Sequence, residues 1–236
     1  IARAVDQMRT LSSRGATIVS LDLPSGLDAS TGVAVGGLTA DLTFTLGTFK
    51  RGQLVGRASC GGIVALDIGL GVHAAAGRGA PLATADWFRA ALPPIAADAH
   101  KGTRRRIAVV GGAAGMAGAV VLAARAALRS GAGLVKCIVA PESLAAVQAA
   151  VPAALAAPWP VDDRSVRQTV GEWADALLVG PGLGRDGARA MVERLLGAFR
   201  GPVVLDADAL NAFADDASAL APMLAGRSAL LTPHPA

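Results

Sequence analysis

The residues able to do chemistry stand where hydrophobic runs give out. Asp22 closes the run Thr17–Asp22 (TIVSLD), and Ser25 follows in Asp22-Leu23-Pro24-Ser25-Gly26-Leu27-Asp28. A carboxylate at a strand end can act as general base toward a substrate hydroxyl. The Ser25 oxygen and nearby carbonyls can form a hard oxygen site for an alkali cation. The same residues also fit a capped turn in which Asp22 fixes Ser25. Lys50, in Gly47-Thr48-Phe49-Lys50-Arg51-Gly52, follows another such run and can meet a phosphate or stand as a plain surface lysine.

Four more runs in the second half end in conspicuous loops. Ile107–Val110 leads into Gly111-Gly112-Ala113-Ala114-Gly115-Met116-Ala117-Gly118, and Ala176–Val179 into Gly180-Pro181-Gly182-Leu183-Gly184. Val203–Leu205 leads into Asp206-Ala207-Asp208-Ala209-Leu210-Asn211, and Ala229–Leu231 into Thr232-Pro233-His234-Pro235. Glycines let backbone N–H groups approach a ligand, and a helix N-terminus favours anionic oxygen. The first loop is no Walker A motif, since no Gly-Lys-Ser/Thr follows. It is also a poor dinucleotide fingerprint, lacking both the G-x-G-x-x-G spacing and a strand-end acid about 20 residues on. Taken singly, each loop also fits a purely structural role: tight packing for the glycines, an N-cap or salt bridge for Asp206, a satisfied loop histidine for His234. Four such loops on one edge of one sheet would form a shared pocket.

The elements that must position these residues follow from the pattern of the chain. A β-branched run, a glycine-rich loop and an amphipathic stretch recur in that order. Leu42–Leu46 (LTFTL) and Gly62–Asp67 (GIVALD) read as further strands, as does Leu134–Val139. Gly118–Arg129 reads as a helix ended by Ser130-Gly131, and Asp186–Phe199 as a helix with Asp186 as N-cap. Such alternation predicts a mainly parallel sheet with helices on both faces. Between Gly71 and Ala99 the strand signal fades into Ala, Gly and Pro, which places a domain boundary near residues 73–82.

Composition narrows the function classes. Of 236 residues, 53% are apolar and 17% charged, enough for a core and against disorder. Apolar stretches such as Ala117–Ala124 stop well short of the about 18 residues a membrane span needs, and no stretch reads as a secretory signal. Cys60 and Cys137 are too few and too separated for a disulfide framework or zinc site, so a reducing cytoplasm fits. The net charge of +4 and the run Arg104–Arg106 raise nucleic acid as a partner, but with 3% aromatic residues and no Tyr the stacking platforms are scarce. No nucleic-acid or membrane partner is expected; anionic small molecules remain open.

The motifs, in order, are SLDLPSGLDASTG (20–32), ADLTFTLGTFKRG (40–52), GGIVALDIGL (61–70), HKGTRRRIAVVGGAAGMAGAVVLAARAALRSGAGLV (100–135), ADALLVGPGLGRD (174–186), VVLDADALN (203–211) and LTPHP (231–235). This set resembles the family of bifunctional NAD(P)H-hydrate repair enzymes, in which an epimerase domain precedes an ADP/ATP-dependent dehydratase domain. The resemblance covers nearly the whole chain apart from residues 71–99. It implies an α/β chain: the C-terminal half of a Rossmann-like three-layer epimerase domain (1–73), a linker (74–81) and the N-terminal part of a ribokinase-like dehydratase domain (82–236). Asp22 matches a position that binds the hydrated nicotinamide nucleotide and serves as epimerisation acid/base, and Ser25 matches a potassium ligand. Ala119, Gly182 and His234 match positions lining the hydrate pocket, while Asp206, Asp208 and Asn211 match a strand-end motif of the fold. Potassium, magnesium and ADP or ATP are the implied cofactors and co-substrate, with a homo-oligomer at full length.

The family pattern also implies a glycine- and asparagine-rich loop before Ile1 and, past Pro235, a nucleotide-binding segment with a Gly-Thr-Gly-Asp loop bearing the dehydration base. On that pattern the 236 residues are the middle of a longer protein and do not dehydrate hydrates alone. Two other readings stand beside it: a non-catalytic dinucleotide-binding relic, and a ribokinase-like small-molecule kinase. The DLPSGLD half argues against the kinase.

Overall fold

A computed structural model describes residues 2–70, 82–92 and 94–234. The chain divides into two compact units, residues 1–91 and 92–236. The linker expected at 74–81 lies outside the described residues.

The first unit opens with helix α1 (Ala2–Ser12), then β1 (Val19–Leu21), β2 (Leu42–Leu46), helix α2 (Arg51–Val55), β3 (Gly62–Leu66) and helix α3 (Ala85–Ala91). The strands form a parallel sheet with β2 in the middle, Val19 opposite Leu42 and Leu42 opposite Gly62. The strand expected over Thr17–Asp22 is shortened at both ends. Before it, the Ile18 amide turns aside to donate to Asp41 Oδ2 at 2.7 Å. After it, Asp22 takes a left-handed φ of 63°, which ends the extended run. Val5, Ile18, Leu38 and Ala40 make a small core.

The second unit runs β4 (Arg106–Val110), α4 (Ala117–Arg129), β5 (Leu134–Val139), α5 (Leu144–Ala150), β6 (Leu155–Pro158), α6 (Asp163–Val166), β7 (Ala176–Val179), α7 (Ala188–Ala198), β8 (Val203–Asp206), α8 (Asp208–Asn211), α9 (Leu220–Leu224) and β9 (Ala229–Thr232). Its six strands, all parallel, lie in the order β6-β5-β4-β7-β8-β9. The chain therefore winds outward from β4 in one direction, returns to β4, and winds outward in the other. That reversal puts a topological switch point between β4 and β7.

The strand period of two divides the core between the two faces. Val109, Val135, Cys137 and Val139 pack with Val120 and Ala124 of α4 and Val147 of α5. Ala108, Val110, Ile138, Leu177 and Leu205 pack instead with Val192, Leu195 and Leu196 of α7 and with Phe213. Each fully buried Val or Leu side chain contributes about 1.5–3 kcal/mol by leaving water, so both faces are strongly held.

Helix α4 ends as its sequence suggests. Gly131 has a φ of 95°, its amide donates to Leu128 O at 3.1 Å, and the Ala132 amide donates to Ala127 O at 3.1 Å. Helix α7 departs from expectation: its N-cap is Gly187 at φ 69°, not Asp186, and no side chain caps it. Among the described residues no helix is long and apolar enough to cross a membrane.

Candidate functional site

In the first unit the left-handed turn at Asp22 aims its side chain back across the end of β2. Asp22 Oδ1 accepts from the Leu46 amide at 3.0 Å and from the Lys50 ammonium. Lys50 Nζ also donates to Thr45 Oγ1 at 3.0 Å and to the Leu46 carbonyl at 2.9 Å. Gln53, on α2 and fully buried, donates to the Asp22 carbonyl at 2.6 Å and accepts from the Lys50 amide at 2.9 Å. The Lys50 hydrogen bond first, and the Leu46 amide second, hold the Asp22 carboxyl below its ordinary range against a smaller opposing effect of burial. The result is an ionised, half-exposed carboxylate beside a fixed cation.

This arrangement replaces two sequence readings. Asp22 is not tied to Ser25, and Lys50, with three acceptors on its ammonium, has no donor left for a phosphate. Ser25 is exposed on the following turn. Its carbonyl accepts from the Leu38 amide at 3.1 Å and that of Gly26 from the Val35 amide at 3.0 Å.

In the second unit the four strand-end loops are joined in series along one edge of the sheet, starting at the switch point. The Gly112 amide donates to Pro181 O at 2.9 Å and the Ala113 amide to Gly182 O at 2.7 Å, linking the β4 and β7 loops. The Gly184 amide donates to Asp208 Oδ2 at 2.9 Å, linking the β7 and β8 loops. Thr232 Oγ1 donates to Asp206 Oδ1 at 2.7 Å, linking the β8 loop to the end of β9. A Cβ on Gly180 would overlap the Asp206 carbonyl oxygen, so only glycine lets these two loops approach. A Cβ on Gly182 would stand 3.3 Å from that of Ala119, so these two residues line one spot. Ala207 holds a φ of 38°, a strained conformation costing about 1–3 kcal/mol. Such strain at a strand end beside a glycine loop makes this edge the candidate site.

The α4 N-terminus faces this edge. Its N-cap, Met116, gives no side-chain hydrogen bond, so the first-turn amides have no side-chain cap. His234 is exposed, two residues beyond Thr232. Arg185, Asp208, Asn211 and Asp215 line a 440 Å³ recess beside the β7 and β8 loops. A larger cleft, 540 Å³, lies at the start of β4 instead, lined by Leu92, Ile95, Arg104, Ile107 and Ala132. Among the described residues no group of three or more His, Cys, Asp or Glu is placed to hold a metal.

Family models match both units: one for NAD(P)H-hydrate dehydratase over residues 107–236, one for the YjeF-related protein N-terminus over residues 1–52. The chain belongs to the NAD(P)H-hydrate dehydratase family. It is 35% identical to the bifunctional NAD(P)H-hydrate repair enzyme Nnr of Vibrio cholerae over 99% of its own length and 47% of that protein's. Against the enzyme of the same description from Escherichia coli K12 it is 35% identical over 94% of its length and 42% of the relative's. The chain thus spans about half the length of the curated relatives it matches. Among solved structures, a hypothetical protein of Streptococcus mutans, SMU.573, superposes with a TM-score of 0.53 at 28% identity, covering 61% of this chain and 51% of that one.

Within the family's dehydratase region the structure brings Ala119 and Gly182 together, with His234 on the same sheet edge. Asp206 and Asp208 serve there as ties between loops, and Asn211 bonds Asp208 within α8. Sequence reasoning missed Gln53, Ser143 and Trp159. Ser143 Oγ donates to the Ala113 carbonyl at 3.0 Å, and Trp159 Nε1 to the Gly111 carbonyl at 2.9 Å, so both brace the glycine loop. The available signal was Trp159 itself, one of three tryptophans in the chain.

Proposed function

We propose that the protein repairs hydrated nicotinamide nucleotides: the domain that includes residues 1–73 epimerises the hydrate of NADH or NADPH, and the domain that includes residues 82–236 dehydrates its S form with ADP or ATP. The observation that carries this reading is the glycine loop at Gly111–Gly118, bonded to Pro181 and Gly182 at the switch point and opening on an uncapped helix. The tandem of epimerase-type and dehydratase matches, and relatives named as bifunctional repair enzymes, support the pairing.

The chemistry suits these parts. The hydrate carries a hydroxyl at C6 of its nicotinamide ring, and hydroxide leaves poorly. Phosphoryl transfer from ATP or ADP turns it into a phosphate ester; the ring nitrogen then pushes phosphate off C6, and loss of a C5 proton to solvent or to the departing phosphate forms the C5=C6 bond and restores the dihydronicotinamide. Ala119, Gly182 and His234 would line the hydrate, while the first-turn amides of α4 hold anionic oxygen in place.

In the epimerase half, Asp22 takes the C6 hydroxyl proton as the C6–N1 bond opens. The bonding pair moves onto N1, in conjugation with the ring carboxamide, and N1 is protonated from solvent. Closure on the opposite face reverses these steps and returns the proton.

Magnesium would enter with the nucleotide phosphates and neutralise their charge; the described residues offer it no carboxylate cluster. Potassium fits less well: Ser25 supplies one exposed hydroxyl, the carbonyls of Ser25 and Gly26 are already engaged, and no step is derived through it. Two buried free cysteines suit a cytoplasmic setting, and size-exclusion chromatography checks assembly as a homo-oligomer.

The test uses the protein encoded by the complete reading frame, supplied separately with the R and S hydrates and ATP or ADP. Asp22→Asn is expected to slow consumption of the R hydrate by about 10²–10⁴-fold and to leave that of the S hydrate intact. Wild-type consumption of the R hydrate by this variant removes Asp22 from the mechanism. No consumption of either hydrate by the wild type overturns the reading.

A further inference from the structure

Asp22 has two carboxylate oxygens, and the structure treats them differently. Oδ1 accepts two hydrogen bonds, from the Leu46 amide and the Lys50 ammonium, while Oδ2 has no protein donor among the described residues. An ammonium has three donors. Those of Lys50 go to Asp22 Oδ1, Thr45 Oγ1 and the Leu46 carbonyl, so it is held from three directions. The backbone on either side is held too, because Gln53 bridges the Asp22 carbonyl and the Lys50 amide. The elements around the carboxylate bring Thr45 and Leu46 from β2 and Lys50 and Gln53 from the start of α2. Among the described residues, Lys50 is the one charged group paired with it.

We propose that Lys50 is the positioning residue of the epimerase site, pinning Asp22 Oδ1 so that Oδ2 alone exchanges a proton with the substrate hydroxyl. The proposal rests on the reading of Asp22 as the epimerisation base. A carboxylate left free on a half-exposed turn would rotate and offer either oxygen. Pinned by an ammonium and an amide, it presents one oxygen in one direction, the preorganisation that makes proton transfer efficient. Lys50 keeps its own proton throughout. The substrate proton passes to Oδ2 as the C6–N1 bond opens and returns from Oδ2 on closure, so Lys50 acts only as a fixed positive charge. Its removal would raise the Asp22 carboxyl toward its ordinary value, so a higher pH would be needed to ionise the base.

Kinetics of the protein from the complete reading frame, with the R hydrate as substrate, test this across pH. Lys50→Met is expected to lower kcat for epimerisation by about 10- to 100-fold with little change in KM, as for a group that acts in the transition state. The acid limb of its kcat/KM profile is expected to move to higher pH. Lys50→Arg, which keeps the charge, is expected to hold the limb at its wild-type position and to recover part of kcat. Thermal unfolding shows whether each variant is folded; if Lys50→Met is not, the limb of Lys50→Arg decides, and a limb moved upward in that variant overturns the proposal. So does Lys50→Met with wild-type kcat and an unmoved limb, or equal losses in both variants with the limb unmoved. Wild-type activity in Asp22→Asn instead sinks the Asp22 reading beneath it. An inactive Asp22→Asn beside a normal Lys50→Met sinks the Lys50 assignment alone.

Discussion

The two units use the same construction, parallel strands joined through helices, and bury it unequally. In the second, Val109, Ile138 and Leu205 have no exposed surface, and helices pack on both faces of the sheet. In the first, Leu21 is 72% exposed and Val19 50%, and the described residues supply one small cluster around Val5 and Ile18. Parallel sheets are normally covered on both faces. The two units therefore hold their candidate sites by different means. The glycine loops of the second rest on a close-packed core. In the first, Asp22 is located by a polar network of Lys50, Thr45 and Gln53, with little apolar packing beneath.

The largest test of that contrast is truncation of matched leucines. Leu205→Ala is expected to destabilise the second unit by about 2–5 kcal/mol. Leu21→Ala is expected to change stability by less than about 0.5 kcal/mol. Urea unfolding measures both, and equal losses would break the comparison.

Each unit also contains one buried cysteine, which makes thiol labelling a local probe. Burial raises the Cys60 thiol, partly offset by Arg57, and raises Cys137 to about 11, so neither reacts until its surroundings open. Cys60 is expected to label at least about tenfold faster than Cys137 under native conditions, because thinly covered segments open at lower free energy. Equal rates would show that the two cores are equally secure.

The smallest expected effect is a gain. Gly197 lies in α7 with open space where a Cβ would go, so Gly197→Ala is expected to stabilise by about 0.5–1 kcal/mol. Slower labelling of Cys137 with Cys60 unchanged would sharpen the contrast; slowing of both would blur it.

Most of the sheet was legible because its strands are short apolar runs, most of them rich in β-branched residues and followed by glycine or acid. The exception is β6, Leu155-Ala-Ala-Pro158, which has no β-branched residue and a proline at its end; it is tolerated as an edge strand pairing only with β5. Asp22 was legible as a strand-end carboxylate. Its partnership with Lys50 was not, because the two are 28 positions apart and meet only through the register of β1 on β2. Gln53 gave no signal at all: a lone amide in a short helix looks like surface until the network that buries it is seen. Ala119 and Gly182 were placed by family likeness, and their proximity depends on β4 and β7 being neighbours, which strand alternation alone does not dictate.

The position of β4 bears on how the molecule is made. It is the first strand of its sheet to leave the ribosome, yet it ends up in the interior, and its glycine loop bonds to Pro181 and Gly182 about seventy residues later. Until those residues are synthesised, the amides of Gly112 and Ala113 lack their acceptors, and the edge of β4 that pairs with β7 stands open. The edge that carries the candidate site of this unit is thus completed late in translation. In the nascent chain, pairing along that exposed edge is the step at which misassembly competes with folding.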